Sequence, residues 1–407
     1  MIVTHVWDAE YPWDVRVHKI SRALVSAGHR VHIAARNRDA RPETEPLAEG
    51  VVRRLRWWRG VPARANAAAQ FPAFFNPRWL ALVGRTIRES GSDVVICRDL
   101  PLAPAALWAA RRAGIPLVFD MAENYPEMLA DLRLGPLQRA IRDPRVARAV
   151  ERFVLRRADH VFVVVEESRE RIVALGTPPH RVSVVSNTPP LAHVASAPRR
   201  ASGSRVRLVY VGQIDVPMRG IETLLRAVAL ANGARGEVEL DLVGDGRERP
   251  RLEALAHELG LAPGPVRFLG SRPHADALRR LPEYDVGVVP HLANAHSHTT
   301  VPNKLFDYMA AGLAVIATDA RPLARIVRER ECGLAVASGD AADMARAIDA
   351  MRDAGRRERY AANGLDAAAK ELHWERDVER MLRALESLPP RRPPASRDAR
   401  APLEARA

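Results

Sequence analysis

Lysine is nearly absent from this sequence. The 407-residue chain carries 62 basic residues, yet lysine occurs only at Lys19, Lys304 and Lys370. A compact, mobile ammonium has thus been kept at few places against a strong arginine bias, and Lys304 falls in the best-framed motif of the chain. Cysteine is almost as scarce. Cys97 and Cys332 stand far apart in apolar or glycine contexts, which excludes a disulfide framework and fits a reducing compartment. No apolar run reaches membrane-spanning length, and no basic region with a long apolar run opens the chain at Met1-Ile-Val-Thr-His-Val-Trp7, so a cytoplasmic protein is expected. The loop after that run, Asp8 to Asp14, has no glycine, which argues against the G-x-G-x-x-G turn of a dinucleotide-dependent reductase. Zinc-finger spacing, an RNA-recognition signature and an isolated basic recognition helix are also missing. A net charge of +13 and a pI near 10.7 therefore point away from nucleic acid, towards an acidic membrane surface or phosphorylated small molecules.

What is present is regular. Hydrophobic residues make up 47% of the chain, ample for two or three domains, and short β-branched runs alternate with helix-length periodic runs. That is the pattern of parallel sheets covered by helices. Strands are expected at Met1–Trp7, Val31–Ala34, Val51–Trp58, Asp93–Cys97, Pro116–Asp120, His160–Val165 and Val182–Ser186, which places a first domain at 1–187. Thr188 to Ser204, rich in Pro, Ala and Ser, reads as a linker. The alternation restarts at Val206–Val211 and runs to 372. A final amphipathic helix is expected at 373–388 and a disordered Pro/Arg/Ala-rich tail at 389–407.

The stretch from His298 to Thr318 organises the second domain. Pro302 suits the first turn of a helix and Gly312 the position just past its end, so a helix is framed over about Pro302 to Ala311. Its N-terminus and Lys304 would attract an anion, and Asp307 could accept two hydroxyl hydrogen bonds, as from a ribose diol. Arg219, in the loop Gly212-Gln-Ile-Asp-Val-Pro-Met-Arg-Gly220, is placed to hold phosphate oxygens, and Gly220 would allow close ligand approach. With Gly244-Asp-Gly246 and Pro290 to His298, four polar loops at strand ends converge on one crevice. His291, His296 and His298 fit no zinc template, and no metal is expected.

In the first domain, Asp120-Met-Ala-Glu-Asn-Tyr-Pro126 places paired carboxylates at a strand's carboxyl end, suited either to polar chemistry or to helix capping. Arg53, Arg54, Arg56 and Arg59 around Trp57 and Trp58 suit a membrane interface or an anionic acceptor, and equally an edge strand with one solvated face. Arg139 to Arg157 reads as a basic helix with Val146, Val150, Phe153 and Val154 as its apolar stripe; its charge suits a solvated face or contact with anionic lipid.

Pro302-Asn-Lys-Leu-Phe-Asp-Tyr-Met-Ala-Ala-Gly312, in order with Asp14-Val-Arg-Val17, Gly28-His29, the Asp120 to Pro126 turn, Ser186-Asn187, Gly244-Asp-Gly246 and Val266-Arg-Phe-Leu-Gly270, resembles the retaining group-one, or family four, GT-B glycosyltransferases, above all those of bacterial surface-polysaccharide assembly. The resemblance implies an α/β protein of two Rossmann-like, doubly wound parallel-sheet domains facing across a cleft, with the last helix packing back on the first. By it, Lys304, Arg219 and Glu123 are expected to be catalytic. Gly212, Gln213, Gly244, Asp245, His291, Thr299, Asn303, Leu305 and Asp307 are expected to bind the donor, and Asp14 and Arg16 to lie on the acceptor side. The donor would be a UDP- or GDP-sugar, used without cofactor or metal, Asp-x-Asp being absent; the acceptor would be lipid-linked or a small molecule, with peripheral placement on the inner membrane face. Three positions depart from the family pattern. Thr299 stands where the first acidic residue of the family's acidic pair is expected, Gln213 where Arg is usual, and Ala122 where many relatives have His. A nucleotide-sugar 2-epimerase and a non-catalytic nucleotide-sugar-binding subunit are the alternatives.

Overall fold

The described residues of the computed structural model are 1–12, 14–71, 74–132, 135, 142–195, 206–235 and 237–390. Their alternating apolar runs form two sheets. The first comprises β1 (Ile2–Val6), β2 (Arg30–Ala35), β3 (Thr44–Leu47), β4 (Gly50–Arg54), β5 (Val94–Arg98), β6 (Leu117–Met121), β7 (His160–Val163) and β8 (Val182–Val184), side by side in the order β3-β4-β2-β1-β5-β6-β7-β8. From β4 to β7 the pairing is parallel. The second comprises β9 (Val206–Val211), β10 (Val238–Val243), β11 (Val266–Gly270), β12 (Val286–Val289), β13 (Ala314–Thr318) and β14 (Gly333–Val336), in the order β11-β10-β9-β12-β13-β14, all parallel.

Full burial of β5, β6, β7, β12 and β13 follows from helices on both faces, and it explains why those strands read as continuous apolar runs rather than alternating ones. Each sheet reverses its strand order at one place. In the first, β1 lies between β2 and β5; in the second, β9 lies between β10 and β12. Loops leaving the carboxyl ends of strands that flank such a reversal diverge to opposite faces and leave a crevice between them.

By their contacts the residues fall into two compact units. One takes Met1–Val163, Ile172–Ser183 and the chain from Arg380; the other takes Val164–Arg171 and Val184–Glu379. The passage between them therefore lies earlier than a single boundary at 187, and the helix Trp374–Glu386 contributes to both. Part of the expected linker is tied down. Thr188 donates to Asp377 (2.6 Å), the Leu191 amide to Glu375 (2.9 Å) and the Trp374 amide to the Pro189 carbonyl (2.8 Å). Residues 196–204 of that linker, 139–141 of the basic helix and 391–407 of the tail lie outside the described residues.

Two local expectations are corrected. The strand at Val51–Trp58 ends at Arg54 and is flanked by the antiparallel β3. Arg54 turns inward, buried, to pair with Glu45, and Arg53 pairs with Glu89, so this stretch offers less free charge than its composition suggests. The basic helix spans Pro144–Leu155 and buries Ala147, Val154 and Leu155 but leaves Val146 (51% exposed) and Phe153 (40%) outward. Its apolar residues therefore divide between two faces.

Candidate functional site

In the second unit the crevice is set by how closely three loops can approach. A Cβ on Gly244 would come within 1.8 Å of the Gly212 carbonyl oxygen, and one on Gly220 within 1.7 Å of that of Pro290. Both glycines adopt positive φ, so side chains there are doubly disfavoured. Gly220 thus serves backbone packing between the loops after β9 and β12 rather than ligand approach.

Lys304 begins a helix of seven residues, Lys304–Ala310, shorter than the framing by Pro302 and Gly312 predicts. So short a helix has little dipole, and the charge here belongs to side chains. Leu305, Tyr308 and Met309 are buried in the core as their spacing requires, and the Tyr308 hydroxyl accepts from the Val211 amide (2.9 Å) to fix the helix against the end of β9. Lys304 Nζ is thereby held 3.7 Å from the centroid of the Tyr210 ring. Burial, together with the nearby Arg219 guanidinium, pushes this ammonium well below the usual lysine range against the pull of Asp307.

Arg219 donates through Nη1 to His291 Nε2 (3.1 Å) and has Asp215 at 3.7 Å. His291 is buried, and burial, with Lys304, Arg219 and His296, pushes its pKa far below the ordinary histidine value. A neutral imidazole accepting on Nε2 carries its proton on Nδ1, and that atom makes no hydrogen bond here. Lys304, Arg219 and His291 therefore form one electropositive group. Asp307 lies beyond it, 3.8 Å from His274.

The remaining expected donor residues divide. The Gln213 side chain is exposed while its carbonyl accepts from the Tyr210 hydroxyl (2.8 Å), and the exposed Asn303 side chain makes no cap. Thr299 is buried and donates to the His296 carbonyl (3.0 Å). Asp245 accepts from the Gly246 amide (2.8 Å) and pairs with Arg249 (3.2 Å). Leu305 does not fit the role assigned to it: its side chain lies in the core and its amide is spent on the Pro302 carbonyl (3.1 Å), so it packs rather than binds. Asp215, His274 and Tyr210 were not anticipated. His298 Nδ1 accepts from the Arg321 amide (3.1 Å), away from His291.

The first unit has a crevice of opposite character at the carboxyl ends of β1, β5 and β6. Arg16 donates to both carboxylate oxygens of Asp120, at 2.9 and 3.1 Å from Nε alone, with both side chains buried. Arg16 positions Asp120. Asp14 accepts from the Val17 amide as the cap of Val15–Ser26 and lies 3.3 Å from Arg98. Against the cost of burial, Asp99, Asp14, Asp120 and Glu123 hold the Arg98 guanidinium above its ordinary range. Asp99 has φ 58° and ψ 169°, a conformation that non-glycine residues rarely adopt. Burial, with Glu123, Asp8 and Asp120 adding to it against Arg98, raises its pKa to about 7. Arg98 and Asp99 were missed in the sequence, although they end a core strand at the order reversal, a signal that could have found them.

Two families match. Residues 14–188 fit the family described as glycosyl transferase 4-like domain, and residues 205–353 that described as glycosyl transferases group 1. A D-inositol 3-phosphate glycosyltransferase of Thermomonospora curvata is 31% identical over 309 residues, 68% of this chain and 67% of the relative. A phosphatidyl-myo-inositol mannosyltransferase of Mycobacterium leprae is 27% identical over 396 residues, 95% of this chain and 96% of the relative. Among solved structures, the Anabaena protein HepE in complex with UDP-glucose superposes with a TM-score of 0.69 at 16% identity, over 95% of this chain and 100% of that one, and shares the two-sheet GT-B fold.

Two predictions follow from the opposed electrostatics. An anion beside Lys304 must raise its pKa, so UDP binding is expected to take up protons over the pH range in which Lys304 titrates, measured by calorimetry over a pH series in buffers of differing ionisation enthalpy. Lys304→Met should abolish the uptake and weaken UDP by about 1.5–3 kcal/mol, roughly 10- to 150-fold; buffer-independent heats in the parent chain would refute the assignment. Asp99 has the opposite linkage. Because its pKa is raised on folding, to about 7, the folded state binds more protons than the unfolded one, and stability falls as pH rises from about 4 to about 7. Asp99→Asn should therefore raise the melting temperature at pH 8, by up to roughly 4 kcal/mol of stability, and the gain should shrink towards pH 4. A pH-independent difference would refute this.

Proposed function

The chain belongs to the group 1 glycosyltransferases, and from that premise we propose that it moves a sugar from a nucleoside-diphosphate sugar to an acceptor hydroxyl, with retention at the anomeric carbon and without a metal. The observation that carries this reading is the Lys304–Arg219–His291 group. It is a cluster of two cations and one neutral donor whose own electrostatics disfavour charge until an anion arrives. A departing diphosphate is such an anion, and its charge grows as the bond to the sugar breaks.

In the proposed reaction the bond between the anomeric carbon and the β-phosphate oxygen breaks, and its electron pair remains on that oxygen. The acceptor oxygen bonds to the same face of the carbon, and its proton passes to the departing phosphate. Lys304 and Arg219 stabilise the charge developed there, the free Nδ1–H of His291 is a further donor, and Asp307 accepts hydroxyl bonds from the ribose. Glu123 belongs to the acceptor side, where it orients the attacking hydroxyl. On this reading the reaction uses neither a protein nucleophile nor a metal ion.

A panel of UDP- and GDP-sugars, assayed with and without lipid-linked and free sugar acceptors, tests this reading. Acceptor-dependent release of the nucleoside diphosphate, insensitive to EDTA and giving an anomer matching the donor, is expected; acceptor-independent release indicates an epimerase, and absence of release a binding subunit. Lys304→Ala should lower turnover by roughly 10²–10³.

Surface chemistry supports peripheral membrane placement, as proposed for a lipid-linked acceptor. Among the described residues no helix is long and apolar enough to cross a membrane. The helix Ala103–Ala113 exposes Trp108 (48%) beneath Arg112, and Pro144–Leu155 exposes Phe153 beneath Arg157; the two meet where Arg111 donates to the Arg157 carbonyl. Aromatic side chains beside unpaired surface arginines suit an anionic lipid interface, each arginine contributing on the order of 1 kcal/mol. Sedimentation with anionic vesicles should show salt-sensitive binding that falls with Phe153→Ser and Arg112→Gln but not with Arg53→Gln; equal binding to neutral vesicles would refute it.

A further inference from the structure

The first unit's crevice carries an unexpected sign of charge for so basic a chain. Around the carboxyl ends of β1, β5 and β6, the carboxylates of Asp8, Glu10, Asp14, Asp99, Asp120 and Glu123 outnumber the guanidiniums of Arg16, Arg36, Arg38 and Arg98. The guanidiniums are also engaged. Arg16 is held by Asp120, Arg36 faces Asp8 and Glu10, and Arg38 lies 3.8 Å from Glu10. Arg98, 8% exposed, lies 3.3 Å from Asp14 and 3.4 Å from Asp99, yet its Nη1 makes no hydrogen bond, and Oδ1 of the adjoining Asp99 makes none either. The Trp7 ring lies 5.1 Å from the guanidinium, giving this corner an aromatic wall.

A buried donor next to a buried acceptor, both unsatisfied, suits a group that accepts and donates at once. A sugar or polyol hydroxyl does both. A phosphate monoester at neutral pH only accepts, and its two charges would enter a region where carboxylates already outnumber cations. We infer that the acceptor part held by the first unit is a neutral sugar or polyol ring, bound through hydroxyls by Arg98 and Asp99, and that a phosphorylated ring is rejected there. The inference rests on the proposed transfer reaction with its acceptor on this unit. It separates this chain from the relative named for D-inositol 3-phosphate, whose acceptor by that name bears a phosphate.

Saturation-transfer NMR on the full chain tests it, with glucose, mannose, galactose and myo-inositol each paired against its phosphate monoester. UDP is kept saturating so that a phosphate cannot report from Lys304 and Arg219. At least one neutral ring should bind, and its phosphate ester should bind at least about tenfold more weakly. Arg98→Gln should abolish the neutral signal, and the double variant Asp99→Asn, Glu123→Gln should narrow the discrimination. Equal or tighter binding of the phosphate esters overturns the inference, as does the absence of any neutral ligand. Either result leaves the donor reading standing, because UDP binding is measured in the same samples. If UDP itself fails to bind, the donor reading is lost, and the same pairs run on Lys304→Met, which lacks the phosphate-attracting ammonium, still decide the acceptor question.

Discussion

The second unit depends on holding a lysine ammonium over the Tyr210 ring with Arg219 close by. Among the described residues no carboxylate lies in ion-pair contact with Lys304. A cation in that position is a standing cost to the folded protein, and neighbouring features limit its freedom rather than relieve it. Tyr308 fixes the helix that bears Lys304 to the end of β9, Tyr210 is tied to the loop through the Gln213 carbonyl, and the glycines let the loops after β9, β10 and β12 close on one another. The result is preorganisation. Donors whose positions are already fixed when an anion arrives require little reorganisation at the moment of reaction.

The two units answer the same topological opportunity with opposite fields. Both sheets reverse their strand order, and both place charged side chains at the carboxyl ends of the strands flanking the reversal. In one unit burial, with Arg219, pushes a lysine below its ordinary range; in the other burial, with Glu123, Asp8 and Asp120 against Arg98, pushes an aspartate up to about 7. Each shift has burial as its first cause, yet the balance of neighbouring charge differs, and on the proposed reading this balance distinguishes a place for a phosphate from a place for hydroxyls. The chain's overall charge of +13 does not reveal this division, because most arginines lie on the surface.

The strands were legible because they are buried on both faces, which makes β5, β6, β12 and β13 continuous apolar runs that local composition exposes. The motif around Lys304 was legible because Pro302 and Gly312 frame it. Less readable was anything decided by a partner distant in sequence. Arg16 and Asp120 are 104 residues apart, and nothing local says that the guanidinium is consumed by the carboxylate instead of facing a ligand. Leu305 and Gly220 follow the same rule: a place in the motif for one and at the end of a polar loop for the other suggested binding, whereas packing against the core and against Pro290 explains them. The edge strand β3 was missed because an antiparallel edge of four residues, one of them Pro46, carries little periodic signal.

Thr299 and Gln213 can be weighed against this arrangement. An acidic residue at 299 would add negative charge near a site whose present cations are already self-repelling, and an arginine at 213 would add to that repulsion. With neutral residues at both, the charges nearest the site are those of Lys304 and Arg219, with Asp215 and Asp307 beside them. Thr299 is buried and its hydroxyl is satisfied by the His296 carbonyl, so it shapes the loop without contributing charge. Gln213 keeps its side chain at the surface and lends only its carbonyl, to Tyr210. On the proposed mechanism the diphosphate is then neutralised by fewer positive charges than an arginine at 213 would give, and the free Nδ1–H of His291 becomes a larger share of what stabilises it. The neutral state that burial imposes on His291 is what allows the ring both to accept from Arg219 and to donate from its other nitrogen; an imidazolium could only donate, and would turn the Arg219 contact into a repulsion.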